Sequence, residues 1–293
     1  MYTHLIMPYY VYAWLTNLFY GLGSIAGKLS SKHQLKNPWL LNFVLGLLVT
    51  ASIVPLALFY HVQIPIHWGP ILLAGLFCML AGTFYILAMY QLDISVISPL
   101  YAFRSVFMVI LGGLLFQERM TGIQLVYIGI IFVAGLVVST EEHFTFRSFL
   151  RPGIGLAFLA ILCSAIYSAT LKNAMRYEGF WEVSLWNNLI GEVITLVTLP
   201  LFFKDMRKTP IHLYGGVFVT SIGYTLGALT QTMAYAQNIG LTSAILAVPM
   251  SMIMAFVFSI IAPKLLEKHT LKVYAMRFTA AAIMVIAALR LSG

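Results

Sequence analysis

Two charged side chains interrupt long apolar segments of this sequence, and they are the first candidates for chemistry. Arg104 lies in the apolar segment 95–117, and Glu192 lies in the segment 182–203. An ionisable group at such a position costs roughly 3 kcal/mol or more unless it is paired or solvated, so it marks a functional position by default. We expect Glu192 to bind an amine or a proton and Arg104 to bind an anionic group. The alternative is that the two side chains only stabilise the packing of the helices. They would then form a buried Arg104–Glu192 ion pair, or each would snorkel separately toward the membrane surface.

Polar and aromatic side chains recur at helical spacing around these charges. Asn188 precedes Glu192 by one turn, and Gln231 precedes Tyr235 by one turn. Lipid offers no hydrogen bonds, so such faces should look toward partner helices or a cavity, although close helix packing is the alternative for any single member. The aromatic members could supply a π surface for an organic cation. The predicted substrate-binding residues are Trp14, Asn17, Tyr85, Tyr101, Arg104, Tyr167, Trp186, Asn188, Glu192, Gln231 and Tyr235.

Two prolines occupy similar places in two of the apolar segments. Pro99 lies five residues before Arg104, and Pro249 lies in the segment 241–262. Proline removes a backbone donor and kinks or breaks a helix, and matched interruptions in two halves of a membrane protein point to a central site. We therefore predict hinges at Pro99 and Pro249. The alternative is that each proline is a tolerated kink.

Motifs that would indicate catalysis or a bound cofactor do not occur. The sequence has no P-loop, no His-Glu-x-x-His, no Cys-x-x-Cys and no paired-carboxylate arrangement. Its seven histidines lie in predicted loops or near segment ends, so no metal site is expected. Cys78 and Cys163 fall inside predicted helices and are interpreted as packing residues. We predict no catalytic residue, no cofactor and no enzymatic activity.

The elements that must position these residues are apolar segments long enough to cross a bilayer. Of the 293 residues, 61% are hydrophobic and 9% are charged, whereas soluble domains carry roughly 25% charged residues. A helix of about 18 or more apolar residues can cross the hydrocarbon core. Ten such segments are predicted: 9–28, 39–60, 70–91, 95–117, 122–139, 153–171, 182–203, 213–236, 241–262 and 272–291. The sequence predicts an all-α membrane protein with ten transmembrane helices.

An internal repeat divides these segments into two sets of five. At a constant offset of 145 positions, four residues of the second segment recur in the seventh: Asn42 with Asn187, Gly46 with Gly191, Thr50 with Thr195, and Pro55 with Pro200. The predicted organisation is a first repeat over 1–140, a connecting loop over 141–152 and a second repeat over 153–293. Because five is odd, the second repeat enters the membrane from the opposite side, and such inverted repeats are typical of secondary transporters.

The two repeats also share a motif that carries a family resemblance. Each ends its fourth segment in Glu, a basic residue and Thr: Glu118-Arg119-Met120-Thr121 and Glu267-Lys268-His269-Thr270. With the duplicated five-helix plan, this resembles the drug/metabolite transporter superfamily, specifically the EamA-type ten-helix permeases. The resemblance implies exchange or proton-coupled movement of metabolites such as amino acids, sugars or amines. Physically, Thr121 can cap the helix that follows Glu118.

The leading functional hypothesis is a secondary transporter that moves a small polar organic metabolite, an amino acid, amine or sugar-like solute, by alternating access. The alternatives are an exporter of drugs or organic cations and, from another class, an intramembrane enzyme. The expected partners are the small-molecule substrate, the lipid bilayer and a coupling proton, but no nucleic acid, with the chain a monomer or homodimer in the cell membrane.

The side of the membrane on which the termini lie stays open. Alternate predicted loops carry eleven Lys and Arg residues on one side and four on the other, which by the positive-inside rule places both termini outside. The family resemblance implies cytoplasmic termini. Both arguments place the two termini on the same side.

Overall fold

The computed structural model describes residues 7–92, 94–138, 152–261 and 271–292, and these residues contain no β-strand. The all-α class predicted from the apolar segments is therefore confirmed for the described residues. The α-helices are α1 (Tyr9–His33), α2 (Pro38–Phe59), α3 (Trp68–Gln91), α4 (Ile94–Leu100), α5 (Ala102–Phe116), α6 (Gly122–Val138), α7 (Pro152–Ala174), α8 (Phe180–Thr195), α9 (Phe203–Lys208), α10 (Gly215–Gln237), α11 (Ile239–Leu246), α12 (Met250–Ile261) and α13 (Leu271–Ser292). Two 3-10 helices cover Leu196–Leu201 and Ile211–Tyr214.

Several of these helical stretches meet the length and composition required to cross a membrane. Within the described residues, five stretches have both the length and the hydropathy of a membrane span: Pro38–Phe59, Trp68–Gln91, Pro152–Ala174, Ile211–Gln237 and Ile239–Phe258. Three shorter apolar helices are Ala102–Phe116, Gly122–Gly135 and Phe278–Leu291. Large aliphatic side chains on their outer faces, such as Leu114 and Val126, are exposed, as expected for surfaces that contact lipid.

Pro55 and Pro200, which the sequence alignment of the two halves pairs, have different consequences for their helices. α8 stops at Thr195 and continues as the 3-10 helix that contains Pro200. Proline has no N–H to donate to the carbonyl four residues earlier, and here the helix tightens around it. Pro55 lies inside α2, which continues to Phe59. The predicted segment 182–203 is therefore shorter as an α-helix than the sequence indicated.

The predicted segments 95–117 and 241–262 are each two helices instead of one. α4 ends at Leu100 and α5 begins at Ala102, so the first interruption follows Pro99 closely. α11 ends at Leu246 and α12 begins at Met250, directly after Pro249. Both interruptions thus lie within two residues of a predicted hinge proline. Motion at these points stays a prediction.

The main helix pairs each join one half of the chain to the other. α1 packs chiefly against α10, and α3 packs chiefly against α7. At the α1–α10 crossing, a Cβ added to Gly223 would lie only 2.9 Å from the Cα of Gly23. With a residue larger than glycine at position 223, α1 and α10 could not approach each other so closely. These small residues therefore serve helix packing.

The helices form a bundle whose two ends can be defined by contacts between connecting segments. At the terminal end, where α1 begins and α13 ends, the Tyr9 hydroxyl donates to the Leu291 carbonyl at 2.8 Å and Gln237 donates to the Met7 carbonyl at 3.0 Å. At the opposite end, Asn37 donates to the Leu201 carbonyl at 3.0 Å. Asn37 also caps α2, because its Oδ1 accepts from the backbone N–H groups of the first turn.

Some features of the sequence interpretation lie outside the described residues. These are the second Glu-x-x-Thr motif, with Glu267 and Thr270, and the predicted connecting loop up to residue 151. α7 begins at Pro152, the last position assigned to that loop.

Candidate functional site

A central cavity of about 240 Å³ lies where the two interrupted helices meet the helix pairs α1–α10 and α3–α7. Its lining comes from α1, α3, α4, α5, α7, α10, α11 and α12, together with the two interruptions. The lining residues are Asn17, Tyr20, Gly21, Ser24, Cys78, Ala81, Gly82, Tyr85, Ile97, Tyr101, Arg104, Ser164, Tyr167, Tyr224, Gln231, Leu246, Val248 and Ser251. Five of them are tyrosines, and none is an acid.

Arg104 is the charged residue of this lining. Its side chain is 6% exposed, and Nη2 donates to Ser168 Oγ at 2.5 Å and to the Ser164 carbonyl at 3.4 Å. The guanidinium carbon lies 5.6 Å from the centre of the Tyr235 ring, a geometry in which the ring face attracts the cation. α7 and α10 thus hold the guanidinium of α5 in place, and no carboxylate of the described residues contacts it.

A chain of hydrogen bonds links the tyrosines of the cavity wall. The Tyr20 hydroxyl donates to Gln231 Oε1 at 2.6 Å, and Gln231 Nε2 donates to the Tyr235 hydroxyl at 3.0 Å. On the other side, the Tyr85 hydroxyl donates to Ser24 Oγ at 3.0 Å. Because these groups satisfy one another, the wall presents a fixed polar surface to an occupant.

Asn17 lines the cavity, but its amide nitrogen is committed to the second helix interruption. Pro249 has no N–H, so the carbonyl of Ile245 four residues earlier lacks its helical partner. Asn17 Nδ2 donates to that carbonyl at 3.1 Å and to the Val248 carbonyl at 3.0 Å. Its first role is to stabilise the interruption, and its Oδ1 makes no hydrogen bond within the described residues.

The structure brings together six of the predicted binding residues in the cavity lining: Asn17, Tyr85, Tyr101, Arg104, Tyr167 and Gln231. Tyr235 lies directly behind this lining, where it contacts Gln231 and Arg104. Direct contact of any of these residues with a substrate stays a prediction.

Two predicted aromatic residues lie away from the cavity lining. Trp14 packs against the apolar cluster that contains Ala13 and Met284. Trp186 donates from Nε1 to the Gln63 carbonyl at 3.0 Å and lies edge-on to Trp68 at 5.3 Å. The helical face that carries each of them meets a neighbouring helix or a connecting segment instead of the central space.

Asn188 and Glu192 of α8 also lie outside the lining. Asn188 donates to the Ser184 carbonyl of its own helix at 2.8 Å. Glu192 Oε2 rests against Gly46 of α2, where an added Cβ would come within 2.2 Å, and Oε1 is buried without a hydrogen-bond partner. α8 packs against α2 and α3, so its polar face meets these helices. No ion pair joins Glu192 to Arg104, although both belong to the described part of the chain.

Other lining residues were not selected from the sequence. Tyr20 stands one turn from both Asn17 and Ser24. Helical spacing could have found this residue. Ser251 follows the second interruption, and its approach to the cavity depends on the tertiary arrangement of α12.

The Glu-x-x-Thr motif of the first half connects two helices in different halves. Thr121 and Gln124 form a reciprocal cap at the start of α6, with Thr121 N donating to Gln124 Oε1 at 2.9 Å. Glu118 instead accepts from the N–H groups of Ile239 and Gly240, at 3.0 and 3.1 Å, and pairs with Lys172. Its carboxylate thus caps α11 at the terminal end of the bundle.

The part of the chain that carries Tyr85, Tyr101 and Arg104 matches a known family. The profile of the EamA-like transporter family matches residues 7–140. Residues 7–140 are an EamA-like unit. The family belongs to the drug/metabolite transporter superfamily, so the resemblance inferred from the sequence is confirmed. EamA-like proteins are membrane transporters, and the apolar helices of this chain agree with that class.

The fold of this chain also occurs among solved structures. One, titled "Crystal structure of protein", superposes with a TM-score of 0.69 at 15% sequence identity, covering 97% of this chain and 99% of that chain. This likeness concerns the fold alone. No curated protein matches the chain.

Proposed function

We propose that this protein is a secondary transporter that moves a small polar organic metabolite across the cell membrane by alternating access. The observation that carries the proposal is the central cavity, which lies at two interrupted helices and is lined from both halves of the chain. Transporters bind their substrates at such discontinuous helices near the midplane, where the halves can rock around a fixed site.

The proposal includes ten spans in two inverted repeats, over 1–140 and 153–293. The pairing of α1 with α10 and of α3 with α7 supports this, because in each pair the first span of one half packs against the third span of the other. The contact between Tyr9 and Leu291 also supports it, since ten spans return the chain to its starting side. On this view α4 and α5 together form one broken span, and α11 and α12 together form another.

A transport assay tests this function directly. Purified protein would be reconstituted into liposomes and presented with radiolabelled sugars, amines, amino acids and carboxylates. We expect saturable flux of at least one solute above that of empty liposomes. Absence of saturable flux for every class, with folded protein confirmed in the membrane, would refute the proposal.

A matched pair of glycine variants links that flux to the cavity. Gly82 lines the cavity, and a Cβ added there meets nothing closer than 3.7 Å. Gly82→Leu should therefore fill the cavity and abolish flux while the protein stays folded. Gly113 of α5 meets nothing within 4 Å, so Gly113→Leu is the control and should transport normally. Equal flux from both variants would place the pathway elsewhere.

A coupling proton on Glu192 is part of the proposal. The carboxyl group lies in α8, one layer behind the cavity, and Oε1 has no hydrogen-bond partner to compensate its burial. Glu192→Gln removes the titrating group with little change in shape, so the flux of the variant should lose its dependence on pH. A pH profile equal to that of the wild type would remove Glu192 from the coupling mechanism.

The alternative of an organic-cation exporter has one observation in its favour, the five tyrosine rings of the lining. Against it stands the charge of Arg104 in the same wall. Arg104→Ala should leave cation transport intact or increase it, whereas it should impair transport of solutes that Arg104 binds.

The proposed assembly is a monomer or homodimer in the lipid bilayer of the cell membrane, without nucleic-acid partners.

A further inference from the structure

We propose that the cargo is a small organic monocarboxylate whose carboxylate binds Arg104 and whose uncharged body lies among the tyrosines. This inference rests on the proposed transport function and specifies its substrate class. It begins with the charges of the cavity. Arg104 contributes a permanent positive charge, and no residue of the described lining contributes a negative one. Glu192 and Glu118 contact Gly46 and α11 instead.

The hydrogen bonds of Arg104 leave part of its donor capacity unused. A guanidinium carries five N–H donors, and the two hydrogen bonds of Arg104 both come from Nη2. Nε is buried without a partner, and Nη1 makes no hydrogen bond to a described residue. A buried cation that lacks an anion is costly. A carboxylate, which accepts two parallel N–H bonds from a guanidinium, would supply the missing partner.

The broken helices add positive potential at the same place. The N-terminal ends of α5 and α12 both lie at the cavity, where Tyr101, Arg104 and Ser251 line it. A helix N-terminus favours an anion. The carbonyls of Ile245 and Val248, whose partial negative charge would repel an anion, accept hydrogen bonds from Asn17. The local field therefore favours a negative group beside Arg104.

The balance of charge argues for one carboxylate without an ammonium group. A single guanidinium matches a charge of about −1, whereas a phosphate ester carries about −1.5 to −2. An ammonium group would need a carboxylate or free carbonyls, and the described lining has no acid. An amino acid therefore fits less well than an acid with an uncharged body.

The remainder of the wall suits an uncharged ring. Tyr85 and Tyr101 stand edge to face at 5.9 Å, and Tyr20, Tyr167 and Tyr224 complete the aromatic lining. Aromatic side chains pack well against a planar ring, and their hydroxyl groups can bind its polar substituents. The volume of about 240 Å³ lies below that of drug-sized ligand pockets. Benzoate is thus a suitable probe.

The test measures binding to the purified full chain by isothermal titration calorimetry at neutral pH. The ligands share one ring: benzoate, benzyl alcohol, benzylamine, phenylalanine and phenyl phosphate. We expect benzoate to bind most tightly, and Arg104→Gln to weaken benzoate by about tenfold or more because a charge-assisted hydrogen bond is lost. Benzyl alcohol affinity should be unchanged in this variant. Arg290→Gln, an exposed arginine of α13, is the control and should bind benzoate normally.

Several outcomes would overturn the inference. If benzylamine, phenylalanine or phenyl phosphate binds more tightly than benzoate, the substrate belongs to another charge class. Unchanged benzoate affinity in Arg104→Gln would remove Arg104 from the site, and no binding of benzoate to the wild type would refute the carboxylate. If Arg104→Gln does not fold, Ser168→Ala, which releases Nη2, replaces it and should alter benzoate affinity but not benzyl alcohol affinity. Saturable flux of another solute in liposomes, without benzoate binding, refutes this inference but leaves the transport function standing.

Discussion

Asn17 of α1 donates a hydrogen bond to the carbonyl of Ile245, the group that Pro249 leaves without a helical partner. The bond joins the first helix of the chain to the interruption between α11 and α12, and a second bond to Val248 doubles the connection. A backbone carbonyl without a hydrogen-bond donor is costly in a membrane interior. The backbone N–H groups of Val248 and Met250 also donate to these two carbonyls, and the side chain of Asn17 adds a second donor to each from the other half of the chain.

Replacing Asn17 with alanine should destabilise the protein by about 1–2 kcal/mol, because the Ile245 and Val248 carbonyls each lose one of their two donors and membrane-buried hydrogen bonds reach that range. The measurement is thermal or denaturant unfolding in detergent. Asn188→Ala is the matched control, because Asn188 bonds only to its own helix. Equal losses in both variants would contradict the special role of Asn17.

The α1–α10 crossing should not tolerate a methyl group at Gly223. The added Cβ would lie 2.9 Å from Gly23 Cα and 3.0 Å from the Phe19 carbonyl oxygen, both backbone atoms that cannot turn aside. Overpacking of this kind costs about 1–3 kcal/mol, measurable as a lower melting temperature of Gly223→Ala. Gly155→Ala is the control, since nothing lies within 4 Å of that position. A stable Gly223→Ala would show that the two helices can separate without cost.

The carboxylate of Glu118 should contribute more to stability than its partner Lys172. Glu118→Ala removes the cap of α11 together with the ion pair, with an expected loss of about 3 kcal/mol, as for a broken buried pair. Lys172→Met leaves the bonds from Ile239 and Gly240 in place and should cost less. A double-mutant cycle compares the loss of unfolding free energy in the double variant with the sum of the two single losses. The difference measures the interaction between Glu118 and Lys172. Arg119→Met, at an exposed neighbouring position, is the control; an equal loss there would contradict the assignment.

Glu178, between α7 and α8, should make stability fall in acid. Burial alone raises the pKa of Glu178, but hydrogen bonds from His67, through backbone and ring, and from the Ile66 backbone outweigh it and leave the pKa below its ordinary value. A carboxylate with a lowered folded-state pKa stabilises the fold fully above its unfolded-state pKa of about 4.3. That contribution is lost as the pH falls through the lowered value.

The measurement for Glu178 is the melting temperature as a function of pH. Wild type should be more stable than Glu178→Gln at pH near 7, and the two curves should converge below about pH 4. His67→Ala should retain part of the difference, because it keeps the backbone donors of residues 66 and 67. Curves that stay parallel into acid would exclude Glu178 as the titrating group.

Much of the architecture follows from local properties of the sequence. Apolar runs require helices because lipid cannot satisfy backbone groups, and the structure contains helices wherever its described residues cover those runs. The interruptions fall beside Pro99 and Pro249, and at Pro249 the missing N–H removes the helical donor of the Ile245 carbonyl. Helical spacing also groups Gln231 with Tyr235 on one face, as the hydrogen bond between them shows.

The sequence by itself therefore determined the helical class, the positions of the broken helices and which polar residues share a face. Only the tertiary structure decided what each face meets. Arg104 faces the cavity whereas Glu192 faces Gly46, and Glu118 caps a helix from the other half of the chain. Pro200 lies in a 3-10 helix whereas Pro55 stays in an α-helix. The physical reason is that helical periodicity is set by bonds within about four residues, whereas the neighbour of a face is set by packing between distant segments.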